Sequence, residues 1–138
     1  MAMTTAITAY VASLLAFVAC DMVWLSVMAP RFYRPTLGDI ALSSVNLPPA
    51  VLFYAIYPVG LCIFAVAPAL KSGSAGTALL YGALFGFFTY ATYDLTNQAT
   101  LRNWTVSLTV VDVAWGTCVA GIAAVVAFFA ATKFAGAA

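Results

Sequence analysis

Histidine and glutamate are both absent from this 138-residue chain. Without histidine there is no His-ligated haem, no His-containing zinc site, no His general base and no Ser-His-Asp triad. Nothing in the sequence names any other cofactor. Charge of either sign is scarce: five Lys or Arg and four acidic residues, all aspartate, make up 7% of the chain. A net charge of +1 from scattered cations cannot build a nucleic-acid-binding patch. Cysteine is nearly as rare. Cys20, Cys62 and Cys118 are odd in number and each lies inside an apolar run, so they read as small packing groups rather than a disulfide framework.

What is present is hydrophobic, at 65% of residues. A soluble domain is about 45–50% apolar and about 25% charged. This chain could not cover a water-facing surface, so its solvent is the lipid bilayer.

A helical span needs about 20 apolar residues. Four segments supply them, at residues 4–28, 50–70, 75–97 and 105–133. The runs are long and continuous, which favours helices over barrel strands. The expected fold is an all-α membrane protein, a four-transmembrane-helix bundle forming one domain over residues 1–138. Pro30 is expected to stop the first helix, and Pro58 to kink the second. The one long connection, residues 29–49, has room for a short interfacial helix. Phe17-Val18-Ala19-Cys20 loosely resembles a lipoprotein cleavage box, but no Lys or Arg precedes it, so the first helix reads as a permanent span. With four spans, Arg31, Arg34 and Arg102 fall on one side and Lys71 and Lys133 on the other. The positive-inside rule then puts the arginines in the cytoplasm and both termini outside.

The aspartates are the informative feature. Asp21 lies two turns before the end of the first span, roughly 10 Å deep. Asp112 lies about as deep in the fourth span, entered from the same side. Asp94 sits near the end of the third, closer to the interface, where a carboxylate costs less. Charges inside a bilayer are rarely left facing lipid, so a shared pocket is expected in one half of the membrane. Gly82, Gly86, Tyr90 and Asp94 fall on one helical stripe, flanked by Tyr93 and Asn97. Its glycine end suits close helix approach, and its polar end suits a cavity. Thr109, Asp112, Trp115 and Gly116 share a face of the fourth helix. Asp-x-x-Trp occurs twice, at Asp21–Trp24 and Asp112–Trp115, which is too short a match to establish duplication.

The candidate ligand-binding or proton-handling residues are therefore Asp21, Trp24, Tyr90, Tyr93, Asp94, Asn97, Asp112 and Trp115. Arg31, Arg34 and Arg102 are the candidate electrostatic partners. A plainer reading has the aspartates paired with those arginines or capping helix ends. Trp24 and Trp104 also suit interface anchors, and the glycine stripe suits packing alone. Tyr54, Tyr57 and Tyr81 stand out in no way from ordinary packing residues.

Asp21-Met22-Val23-Trp24-Leu25, Arg31-Phe32-Tyr33, the run from Tyr90 to Asn97, Ala99-Thr100-Leu101 and the run from Val111 to Thr117 resemble the signature of domain-of-unknown-function family 2177. The resemblance covers essentially the whole chain. It implies a four-helix protein of the bacterial inner membrane and supplies no activity or substrate.

Three functions fit the residues. One is binding or transport of a small molecule, ion or proton, with a homodimer to complete a path. Another is an enzyme acting on a lipid or isoprenoid, its carboxylates serving as acid and base or holding Mg2+ beside the arginines. The last is an accessory or assembly subunit of a membrane complex.

Overall fold

The computed structural model of the chain describes residues 1–136, and every regular element among them is helical. Four long helices dominate: α1 (Met3–Met28), α2 (Leu47–Ser72), α3 (Ala75–Thr100) and α4 (Val106–Phe134). The helix of α1, with its continuation to Ile40, is long and apolar enough to cross a membrane, as are α2 and α4. α3 has 26 residues but is more polar, because its second half gathers Thr, Tyr, Asp, Asn and Gln.

Each helix buries only a narrow stripe. On α1 the buried residues are Thr5, Ala9, Ser13, Phe17 and Asp21, spaced by four. Asp21 is thus the last member of the inward face. Large apolar side chains such as Leu15, Val23, Ile56, Phe88, Val110 and Phe129 point outward, the inverse of a water-soluble bundle. Thr92, Thr96 and Thr100 are also outward, but each hydroxyl donates to the carbonyl one turn back, at 2.6, 2.6 and 2.9 Å. A threonine satisfied this way suits a face without water.

The most extensive helix contact is between α3 and α4, followed by α1 against α4. It rests on small residues. Gly82 and Gly86 of α3 meet Gly116, Ala120 and Ala124 of α4 so closely that a Cβ on Gly86 would stand 2.2 Å from the Gly116 carbonyl oxygen. Between helices in lipid, where burial gives little driving force, such close backbone approach supplies the dispersion contact.

The prolines act differently from one another. Pro58 is buried inside α2, and the helix continues past it into a π-turn at Cys62–Val66. The ring of Pro58 disturbs the preceding turn; there the Ala55 carbonyl accepts from the Tyr10 hydroxyl of α1 at 3.0 Å. Pro30 does not stop the first helix as the sequence suggested. The chain widens into a π-turn at Ala29–Tyr33, coils on through a short helix at Arg34–Leu37 and closes with a 3-10 turn at Gly38–Ile40. A wider turn accommodates the ring and the missing N–H without ending the helix. Asn103, in the α3–α4 turn, donates to the Leu37 carbonyl (2.6 Å) and to Asp39 (3.0 Å), tying the two connections together on one side of the bundle.

Candidate functional site

The inward stripes of α1, α3 and α4 converge at the depth of Asp21. There a cavity of about 420 Å³ opens, lined by Asp21 and Trp24 of α1, Phe53 and Tyr57 of α2, Thr89, Tyr90 and Tyr93 of α3, and Asp112 and Trp115 of α4. That volume lies within the range of roughly 300–1,000 Å³ for small-molecule pockets.

Trp24 and Trp115 form one wall, stacked with ring centroids 4.4 Å apart and planes 2° from parallel. Trp24 therefore sits inside the site rather than as a free interface anchor. The two Asp-x-x-Trp motifs interlock. Trp115 donates its indole N–H to Asp21 Oδ1 at 3.0 Å. Trp24 donates to the Tyr33 hydroxyl at 2.9 Å, which in turn donates to Asp112 Oδ1 at 2.5 Å. Each aspartate is thus held by the tryptophan of the opposite motif, once directly and once through a tyrosine. Tyr54 adds a second donor to Asp21, at 2.5 Å on Oδ2.

Tyr57 and Tyr90 form the floor, edge-to-face at 6.3 Å, with the Tyr57 hydroxyl 3.1 Å from Thr89 Oγ1. The Tyr90 ring lies flat over Gly116, where a Cβ would stand 2.1 Å from Tyr90 Cγ. Tyr93 is 57% exposed and meets Trp104 edge-on at 5.4 Å, on the rim. Trp104 itself donates to Thr109, whose hydroxyl donates to Gln98 at 2.7 Å.

Asp94 is fully buried in the bundle, and neither of its carboxyl oxygens has a hydrogen-bond donor among the described residues. The carboxyl beside it is that of Asp112. Two carboxylates in contact repel, and one shared proton turns that contact into a hydrogen bond. Tyr33, Tyr90, Tyr93 and Asp21 are the other titratable groups around this pair. Asn97 lies half-buried beside Tyr93. Arg31, Arg34 and Arg102 are exposed; Arg34 reaches only the Ser43 carbonyl, at 3.4 Å. The donors on Asp21 and Asp112 are aromatic residues.

Tyr33, Tyr54 and Tyr57 are the hydrogen-bonding tyrosines of the site that sequence reasoning passed over, as it did Phe53 and Thr89 of the lining. Tyr33 should be costly to lose, because Tyr33→Phe leaves both the Trp24 indole N–H and Asp112 Oδ1 without their partner. A loss of about 1–3 kcal/mol is expected, read as a lower thermal midpoint in detergent. Tyr54→Phe, which leaves Asp21 its tryptophan donor, should cost less. Equal midpoints for the two variants would contradict this order.

Fold and composition together define an all-helical integral membrane protein. Residues 6–129 match the family described as Predicted membrane protein (DUF2177), and the chain belongs to that family. No curated protein and no solved structure matches it.

Proposed function

We propose that this is a small-molecule binding or transport protein of the bacterial inner membrane, with aspartate as its proton-handling group. In this reading α3 crosses the bilayer with the other three long helices, and the arginine-bearing connections face the cytoplasm. The observation that carries it is the cavity of about 420 Å³, which presents two carboxyls inside the helix bundle against a wall and floor of aromatic rings. Ionisable groups at such depth generally mark binding sites or proton relays. Asp94 and Asp112 form a proton site behind the cavity, and Asp112 belongs to both. Four helices are few for a complete path, so a homodimer would supply the rest.

The test is proton flux in proteoliposomes holding a trapped pH-sensitive dye. The intact protein should pass protons under an imposed gradient. Asp112→Asn should lower the rate about tenfold or more, as loss of a proton-transfer group does, while circular dichroism shows helices intact. Asp21→Asn should lower it too. No flux above that of empty liposomes, with or without added small molecules, would remove the transport reading.

A further inference from the structure

We propose that the cavity takes a small organic cation: an ammonium or similar charged head on a compact apolar body. The inference rests on the binding reading above and names its ligand class.

The argument starts from charge. Asp21 accepts two hydrogen bonds, one on each oxygen, from Trp115 and Tyr54. Both oxygens are thereby set as acceptors, which is the arrangement an anionic carboxylate needs. Its donors are neutral, so they solvate the charge without cancelling it. Asp112 adds a second carboxyl to the same cavity. The chain has no histidine, and its three arginines near this end are exposed. A negative charge in this low-dielectric setting is costly unless something positive joins it.

The walls say what kind of positive group. Tyr57 and Tyr90 line the cavity, and Trp24 lies stacked on Trp115 beside Asp21. Aromatic faces attract a cation through their quadrupole, most strongly when water is excluded. Quaternary ammonium groups are recognised by cages of this composition. A bare metal ion fits poorly. It requires about six or more oxygen ligands for calcium, or near-octahedral ones for magnesium, and no three metal-ligating side chains cluster among the described residues. A space of about 420 Å³ is also far larger than one ion. An anionic ligand would meet two carboxyls and no protein cation.

The experiment compares two probes of one shape on the full-length protein in detergent. Benzyltrimethylammonium carries the charge, and neopentylbenzene is its uncharged isostere. Binding is read by equilibrium dialysis and by tryptophan fluorescence, to which the stacked Trp24–Trp115 pair should contribute. The cation should bind saturably and at least about tenfold more tightly than the isostere, the ratio a desolvated cation–π and carboxylate contact supports. Asp21→Asn should erase most of that preference. The two-probe comparison on the unmodified protein needs no variant, so a poorly folding variant does not spoil it. Equal affinities, or no saturable binding of the cation, would overturn the assignment. In that case proton flux that still depends on Asp112 would leave the transport reading standing, and only the ligand class would fall.

Discussion

Gly86→Ala is expected to cost about 3 kcal/mol or more and to prevent α3 and α4 from seating. Most overpacked sites lose about 1–3 kcal/mol because a neighbour can shift. Here the neighbour is backbone: the new methyl would lie 2.2 Å from the Gly116 carbonyl oxygen and 2.7 Å from Ala120 Cβ. Neither can move unless the helices separate. Gly116→Ala meets the same limit from the other side, because Tyr90 Cγ, the atom nearest the backbone end of the ring, would stand 2.1 Å away. Moving Tyr90 would also reshape the cavity floor, so this variant should lose the site along with stability. Gly60→Ala and Gly121→Ala are the comparison. A Cβ on Gly60 meets the far edge of the Phe85 ring at 2.8 Å, and one on Gly121 meets the tip of Leu79 at 3.1 Å. Both neighbours can rotate away, so both variants should stay within about 1.5 kcal/mol of the parent. Thermal midpoints and elution profiles in one detergent decide the matter. A Gly86→Ala protein as stable as Gly60→Ala would mean that the two helices are not packed backbone to backbone.

The glycine stripe could be read from sequence because its cause is local. Residues four apart share a helix face whatever surrounds them. The same logic placed Asp21 and Asp112 at one depth and put Trp115 in the pocket wall. The predicted segment at 105–133 differs from the observed α4, Val106–Phe134, by a single residue at each end, since hydropathy marks where a lipid-soluble run stops. What periodicity cannot supply is the third dimension. Asp94 lies near the end of its helix, and axial position alone suggested an interfacial carboxylate. Its lateral position, beside Asp112 of α4, is what buries it.

Tyr33 was hidden for a different reason. A proline two residues past an apolar run ordinarily ends a helix, so residues beyond it carry no predictable facing. The π-turn at Ala29–Tyr33 keeps the chain coiling and turns Tyr33 back over the bundle, between Trp24 and Asp112. π-turns are often found at functional sites, and this one supplies the link that a repeated Asp-x-x-Trp motif lacked. The repeat itself now has a physical meaning without any appeal to ancestry. In antiparallel α1 and α4, two such motifs at equal depth bring each tryptophan towards the other's aspartate. One pair closes directly, and the other is one tyrosine wider.

Asp94→Asn is expected to make the protein more stable and less active at once. In the parent, the fully buried Asp94 carboxyl receives no donor from the surrounding chain and has only the Asp112 carboxyl to turn to. A buried polar group left without its hydrogen bond costs about 1–3 kcal/mol. Asparagine keeps the shape and brings an N–H donor that Asp112 can accept whether or not a proton is available. The thermal midpoint should therefore rise, by an amount equivalent to about 1–2 kcal/mol. The same change removes the exchangeable proton between the two groups, and proton flux in liposomes should fall about tenfold or more. A merely structural aspartate would not separate these two readouts. Its replacement would lower the midpoint and leave residual flux in proportion to folded protein. Asp94→Leu sharpens the contrast: it also removes the unsatisfied oxygens but gives Asp112 no donor, so it should lose flux without the full gain in midpoint. A stabilised Asp94→Asn protein with undiminished flux would show that the buried pair is packing and that any proton passes by Asp21 and Asp112 alone. A destabilised one would show that the parent Asp94 is satisfied by a partner worth more than an amide.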